Sequence, residues 1–379
     1  MKNQRICIIG DGLTGLTTAL VLKNLNVDID LYFSKNMVKK EDKRVTAISV
    51  SNYNFFKKNL IKLNKNIFWP CKKINLFYGR EEKIFNFFNF EKKNSLSMYI
   101  FENKKFKSYA MKSLKKSKVN IINKSINKIN YEKSYIQVNK KNHFYDLVIL
   151  CTGSDSIFYD DFKDSRSIQK DYNEIAISGH IKHTTNLINP RQYFLKEGPL
   201  ALLPFNKNTA SFVWSLDKIF YLRNKKNLKK LLNNQLIKVL SKKNNFKVSA
   251  IKSFPLKLNL KTKYYKKNFL ILGDGLHKVH PLAGQGFNLV IRDIIKIYEL
   301  IKINLYLGLQ IKNSSILKDF SIARKPENTL MSIGIDMTHN FFKANKFLDP
   351  FKKQILKNIL KIKNLEKIRK IISDKGIQL

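Results

Sequence analysis

The chain has 379 residues, 44% hydrophobic and 26% charged, too apolar for a disordered protein and long enough for two domains or one large α/β unit. Lys and Arg total 72 against 28 Asp and Glu, for a net charge of +44, yet only nine of the 72 are arginines. Arginine is the residue suited to bidentate phosphate and base contacts, so the charge reads as a solvated lysine surface in a Lys-, Asn-, Ile- and Phe-rich chain, with no nucleic-acid partner expected. No apolar run reaches the ~18 residues of a membrane span, and Met1 to Leu22 lacks the layout of a secretory leader. Cys7, Cys71 and Cys151 are too scattered for a disulfide framework or a zinc site. The expected compartment is the cytoplasm.

Half of the 14 glycines sit in two short segments. Glycine tolerates positive φ and lets a ligand approach the main chain. The first segment follows a short apolar strand, Ile6 to Ile9, and reads Gly10-Asp-Gly12-Leu-Thr-Gly15. Leu16, Ala19, Leu20 and Leu22 then recur at helical spacing, and Ile29 to Phe33 reads as a second strand. This is the context of a dinucleotide fingerprint. Gly10 allows the tight turn, Gly12 admits a pyrophosphate, and Gly15 lets helix pack on strand. The helix start then attracts the anion. Ser34 stands near the position of the usual ribose acid, with Glu41 and Asp42 further on. Arg44-Val-Thr-Ala47-Ile48-Ser49 follows the second strand of this unit.

Residues 76–99, with Phe85, Phe87, Phe88 and Phe90, read as strands of a second sheet. Residues 100–165 return through a helix to the strand ending at Cys151, followed by Thr152, Gly153 and Ser156. Residues 166–261 read as alternating strands with short turns, among them Ala201–Leu203 and Ala210–Leu216. The second glycine segment runs Gly273-Asp274-Gly275-Leu-His277-Lys-Val-His280-Pro281-Leu-Ala-Gly284-Gln285-Gly286-Phe-Asn288, and a helix is expected from about Phe287 to Ile301. Asp274 can accept hydrogen bonds from a sugar-like chain, and the Gly284–Gly286 loop can aim N–H groups at developing negative charge. His277 and His280, three apart without a third ligand, make no metal site, and none is expected. Asp349 to Ile372 is Lys-rich with apolar residues at spacings of three and four. That describes an amphipathic helix, packed on the body or lying on anionic lipid.

These segments resemble the FAD-dependent aromatic hydroxylases, the group A flavoprotein monooxygenases, and within them the ubiquinone-biosynthesis hydroxylases of the UbiH/UbiF kind. The Gly273–Asn288 motif, Arg44-x-x-Ala47-Ile48-Ser49, Glu197-Gly198-Pro199-Leu200-Ala201-Leu202-Leu203-Pro204, Asp171-Tyr172-Asn173-Glu174, Glu102-Asn103 and Arg324-Lys-Pro326-Glu-Asn328 carry the likeness, in the family's order. The resemblance implies an α/β fold: a Rossmann-like FAD-binding domain from residues 1–75, 100–165 and 262–320, a mostly antiparallel substrate domain from 76–99 and 166–261, and a helical segment from 321–379. It implies FAD held by Gly10, Gly12, Gly15, Ser34, Arg44, Gly273, Asp274, Gly286 and Asn288. Pro281, Gly284, Gln285 and Gly286 would surround the flavin ring.

The implied activity is hydroxylation of a polyprenylated phenol by O2 in ubiquinone biosynthesis, through a flavin C4a-hydroperoxide. NAD(P)H is the implied reductant, although Thr152 replaces the acidic residue of the family's middle motif and no arginine follows it. Other readings left open are a reductase or halogenase on the same fold, or a degenerate flavin-binding subunit of a quinone-synthesis complex. A place on the inner membrane face would suit such a substrate. No general base can be named from sequence; Tyr193 and Tyr264 are candidates by type alone.

Overall fold

The computed structural model describes residues 4–33, 42–60, 63–79, 84–91, 96–154, 156–162, 167–184, 187–240, 245–312, 314–343 and 349–359. Ser34 and Glu41 lie outside them, as does most of the expected C-terminal helix beyond Ile359.

The first sheet has six strands, in the order Tyr265–Lys266, Phe269–Ile271, Leu147–Leu150, Arg5–Ile9, Asp28–Tyr32, Asn120–Ile122. All neighbours run parallel except the first pair. Its central strands read Ile6-Cys-Ile-Ile9 and Leu147-Val-Ile-Leu150 and are buried throughout. A parallel strand covered on both faces has no reason to alternate, so continuous apolar runs of this kind belong at the sheet centre. Helix α1 (Leu13–Leu22) is buried from Gly15 to Leu22. Thr17 and Thr18 survive there because their hydroxyls donate back to the carbonyls of Leu13 and Thr14, at 2.7 and 2.9 Å.

The chain leaves Arg5–Ile9 to one side for Asp28–Tyr32 and Asn120–Ile122, and to the other for Leu147–Leu150 and Phe269–Ile271. The order therefore reverses beside the first strand. In open parallel sheets the crevice beyond the strand ends at such a switch point receives ligands. Gly10, Thr152–Gly153 and Gly273 lie just past the ends of three adjacent strands. In register, Ile9 pairs Leu150 and Leu150 pairs Ile271.

An eight-stranded sheet follows the order His277–Lys278, Phe246–Leu260, Ile168–His183, Thr209–Asp217, Gly198–Asn206, Arg191–Leu195, Lys73–Tyr78, Phe85–Glu91. It is antiparallel except where Arg191–Leu195 runs parallel to Lys73–Tyr78. A three-stranded sheet of Val45–Ser49, Met98–Glu102 and Phe68–Cys71 sits beside it, and a second small one joins Lys128–Asn130, Tyr135–Val138 and Lys141–Phe144.

Helix α2 (Val50–Asn59) follows the first of these strands, and α3 (Asn103–Lys115) follows Met98–Glu102. Residues 166–261 are not strands throughout: α4 (Lys218–Asn224) and α5 (Leu228–Leu240) interrupt them. The helical signal was present. Leu232, Gln235, Leu236 and Leu240 form one buried face of α5, packed with Trp214 and Tyr193.

Helix α6 spans Gly286–Tyr306, about a turn longer than its apolar pattern suggests, and α7 spans Ile316–Lys343. Helix α8 (Asp349–Ile359) packs on the body. Leu356 is buried with Tyr78, Phe87, Phe88 and Ile335, and the Tyr78 hydroxyl donates to Asp349 at 2.8 Å. Among the described residues no helix is long and apolar enough to cross a membrane.

Candidate active site

The three glycines of the first loop have three different neighbourhoods. Gly10 has φ +123°, and a Cβ there would lie 2.4 Å from the Cys151 carbonyl oxygen. At Gly15 a Cβ would lie 1.9 Å from the carbonyl oxygen of Gly10 and 3.4 Å from the Cys151 Cβ. At Gly12 it would meet nothing within 4 Å. Gly10 thus makes the turn, Gly15 seats α1 on the strand, and Gly12 borders open space at the helix start, where no side chain caps the first N–H groups. That opening, at a helix N-terminus over the switch point, fits a dinucleotide pyrophosphate.

The late glycine segment arrives at the same place. Gly273, at φ +82°, lies over α1, where a Cβ would be 2.6 Å from the Thr14 Oγ1. At Gly275 a Cβ would collide with the Tyr159 hydroxyl at 2.3 Å. That hydroxyl accepts from Thr152 Oγ1 at 2.9 Å, so the altered middle motif is joined to the late loop through Tyr159. Asp274 is exposed, and its charge helps to hold the Arg44 guanidinium above its ordinary pKa. The larger cause there is hydrogen bonding to Asp42. Arg44 meets the Asp42 carboxylate through Nε and a terminal nitrogen at 2.9 and 2.8 Å, and its own side chain is 67% exposed. Asn103, at the head of α3, donates to Asp42 at 3.3 Å and accepts from Thr46 at 2.6 Å.

Pro281 precedes a single 3-10 turn that ends at Gly284, with φ +64°. Gln285 and Gly286 open α6, and no side chain caps that start either. Asn288 fastens this loop to the first half of the chain. Its buried amide accepts from the Ser49 N–H and from Asn52 Nδ2, both at 2.8 Å, and donates to the carbonyls of Ala47 and Gly284 at 3.2 and 3.3 Å. Its hydrogen-bonding capacity is thus directed to protein groups. Asn288→Ala leaves the Ser49 N–H buried and unpaired, and is expected to cost about 2–4 kcal/mol. Denaturant titration checks it, and a loss under about 0.5 kcal/mol would mean the loop is held by other means.

The two histidines of the motif part company. His277 Nε2 lies 2.6 Å from Asp293 on α6. Asp293 also accepts from Arg324 Nε at 2.7 Å and Asn328 Nδ2 at 3.0 Å, both on α7. His280 instead meets Glu174 at 3.2 Å, and Glu174 also meets His339 at 2.9 Å and Lys343 at 2.8 Å. Glu174, His280 and His339 are all buried. Burial would raise the Glu174 carboxyl, but its three hydrogen-bonding partners outweigh it and hold the group well below the ordinary range. Sequence inspection missed His339 altogether, since a lone histidine in a lysine-rich helix carries no motif.

Tyr193 and Tyr264 lie elsewhere. The Tyr193 hydroxyl donates to the Val239 carbonyl at 3.3 Å, and the Tyr264 hydroxyl accepts from Asn328 at 3.4 Å. Burial raises both phenols above their ordinary values, which suits neither to proton abstraction.

A sequence profile described as FAD binding domain matches residues 168–308. The chain is 31% identical over 210 residues to the ubiquinone biosynthesis monooxygenase COQ6, mitochondrial, of Dictyostelium discoideum, covering 46% of this chain and 42% of that protein. It is 30% identical over 156 residues to 3-demethoxyubiquinol 3-hydroxylase of Escherichia coli strain K12, covering 41% and 40%. The matched stretches thus span less than half the length of these relatives. In structure it is similar to p-nitrophenol 4-monooxygenase PnpA from Pseudomonas putida DLL-E4, with a TM-score of 0.78 at 14% identity over 98% of each chain. The chain thus has the fold of the FAD-dependent monooxygenases, is similar to the FAD binding domain profile over residues 168–308, and resembles the ubiquinone-biosynthesis hydroxylases over just under half its length.

Proposed function

We propose that this protein is an FAD-dependent monooxygenase that hydroxylates the ring of a polyprenylated phenol in ubiquinone biosynthesis. The observation that carries the reading is the convergence of two glycine segments some 260 residues apart in the sequence, with Gly12 facing open space and Gly273 lying over α1. Gly10, Gly12 and the start of α1 would hold the pyrophosphate, with Arg44 and Asp274 beside it. Gly284, Gln285 and Gly286 would turn main-chain N–H groups and the α6 dipole toward the ring. Bound FAD supplies the oxygen-activating chemistry that no side chain can. The protein's own task is to orient the substrate and keep water out. Leu282 shares one buried apolar cluster with Tyr78, Phe87, Phe88 and Phe194 of the second sheet, an apolar wall suited to a prenylated ring.

The division into FAD-binding, substrate and C-terminal segments follows from the same reading, as do O2 as co-substrate, NAD(P)H as reductant and a site at the membrane face. The likeness of the matched segments to quinone-pathway hydroxylases favours this over a halogenase or a catalytically silent subunit.

The test is to purify the full chain, measure bound flavin, and supply a prenylated phenol with O2 and NADPH. The expected product is heavier by one oxygen atom. Flavin-loaded protein that consumes NADPH but adds no oxygen to any prenylated phenol would overturn the reading.

A further inference from the structure

Helix α7 is amphipathic the wrong way round. A surface helix ordinarily turns its apolar stripe to the core and its polar face to water. In α7 the buried positions from Arg324 onward are Arg324, Asn328, Ser332, Ile335 and His339, four of the five polar. The outward positions, at spacings of three and four, are Ile322, Pro326, Leu330, Ile333, Met337 and Phe341. Leu330 is half-buried, but Ile322 is 63%, Ile333 40%, Met337 65% and Phe341 37% exposed. The inward face is explained by its partners: Arg324 and Asn328 serve Asp293, and His339 serves Glu174. No described element buries the outward face.

About one residue in six of this chain is lysine, yet residues 326–342 contain none. The two acids of the same stretch are each paired, Glu327 with Arg324 and Asp336 with Lys170. The outward face is thus a stripe of exposed apolar side chains, about 28 Å long from Ile322 to Phe341 at 1.5 Å per residue. Lys318 lies at one end, and Lys343 and Lys353 at the other, all three exposed. The start of α8 adjoins that second end: the Lys352 ammonium stands 5.9 Å from the Phe341 ring centroid, and Phe351 beside it is 63% exposed. Contiguous exposed apolar surface rimmed by charge marks a contact with something else.

We propose that the outer face of α7 lies on an anionic phospholipid bilayer, with Ile322, Ile333, Met337 and Phe341 at the acyl boundary and the lysines among the head groups. An apolar stripe bordered by cations is the pattern of an interfacial helix. Lipid suits the face better than a second copy does. Each chain carries +44, so two copies brought together repel, whereas an anionic surface attracts. The contact is also distinct from the Lys-rich stretch Asp349 to Ile372 that the sequence offers for this purpose. Its use rests on the hydroxylase reading, because a polyprenylated phenol dissolves in the bilayer. A cleft lined by His339, Phe342 and Lys343 of α7, Phe194 of the second sheet and Leu282 beside Pro281 meets the stripe where Phe342 follows Phe341. A prenyl chain entering there passes from lipid toward the candidate flavin-ring environment along an apolar path.

The probe is a vesicle of phosphatidylcholine and phosphatidylglycerol in equal parts, mixed with the flavin-loaded full chain. Cosedimentation should show binding that falls about tenfold or more in Ile322→Ser/Met337→Ser. Both side chains are mostly exposed, so flavin content and thermal unfolding should not change. Met337→Trp should shift its fluorescence to the blue when vesicles are added. Leu307→Trp, at a similarly exposed apolar position (61%) just past the far end of α6, should not. Undiminished binding in the double variant would place the contact elsewhere, as in the Lys-rich C-terminal stretch, and overturn the proposal. Binding without a shift at position 337 would show adsorption through lysines alone and overturn it too. So would an equal shift at position 307, a lack of binding by the wild-type protein, or a dimer that the double variant dissolves, which would make the stripe a contact between copies. Vesicle binding is read without substrate or oxygen transfer, so its failure is distinct from failure of the hydroxylase reading.

Discussion

Gly15→Ala is expected to give protein that neither reaches full stability nor holds flavin, whereas Gly12→Ala folds and fails only to hold flavin. At position 15 the new methyl would sit 1.9 Å from the Gly10 carbonyl oxygen. That neighbour is backbone in a turn itself fixed by φ +123°, so no side-chain rotation relieves the overlap. The cost is expected at about 3 kcal/mol, the upper end for overpacking. At position 12 the methyl meets no protein atom within 4 Å, and the backbone there, φ −66° and ψ 177°, is open to any residue. Loss of a glycine at a helix N-cap costs at most about 1 kcal/mol. The methyl would, however, stand where a pyrophosphate approaches. FAD affinity should fall about tenfold to a hundredfold, or about 1.4–2.8 kcal/mol. Thermal unfolding of flavin-free protein and fluorescence titration with FAD separate the two effects. Unchanged FAD affinity in Gly12→Ala would mean that the open space is not the phosphate site.

The second large effect is expected at Asp293. This carboxylate is fully buried, with Arg324 and His277 as its partners. It ties the strand carrying His277 to α6 and α7. Removing one member of a buried pair leaves the other charge uncompensated, so Asp293→Ala should lose about 3–5 kcal/mol, checked by denaturant titration. The acid limb gives a second reading. Burial would raise the Asp293 carboxyl, but His277 and Arg324 outweigh it and hold the group below its ordinary value. A carboxyl with a depressed folded pKa contributes stability that is complete above its unfolded value, about 3.9. That contribution is lost as pH falls through the folded value. The wild-type protein should therefore destabilise on acidification below about pH 4, and Asp293→Ala should show a shallower acid limb. An acid limb identical to wild type would show that the network carries no linkage.

The Arg324-Lys-Pro326-Glu-Asn328 segment shows how a motif can be legible without its purpose. Its residue types stand out in the sequence, but nothing in them points to Asp293, some 30 positions earlier. Asn288 is a similar case. It reads as part of a ring-binding motif, yet its amide is directed to Ser49, Asn52, Ala47 and Gly284, and it locks the loop that carries Gly284 and Gly286. The helices α4 and α5 were hidden for another reason. Strand patterns on either side, Thr209–Asp217 and Phe246–Leu260, set an expectation of continued alternation, which the Leu232–Leu236–Leu240 face of α5 breaks.

By itself the sequence determined what is local and periodic. The apolar runs Ile6–Ile9 and Leu147–Leu150 read as strands, and the fold sets both at the centre of the parallel sheet, where neither face needs to be wet. The glycine spacing called for a tight turn at Gly10 and close helix–strand packing at Gly15; in the fold a Cβ at either meets backbone, and of the two only Gly10 has a positive φ. Only the tertiary structure decided which distant groups share a dielectric. In the sequence Glu174 only closes the Asp171-Tyr172-Asn173-Glu174 segment, and His339 belongs to no motif. A bulge at Tyr172–Asn173 and the docking of α7 bring them into contact across 165 positions. Their partnership arises from burial and the need to satisfy a buried carboxylate, and that need exists only once the chain has folded.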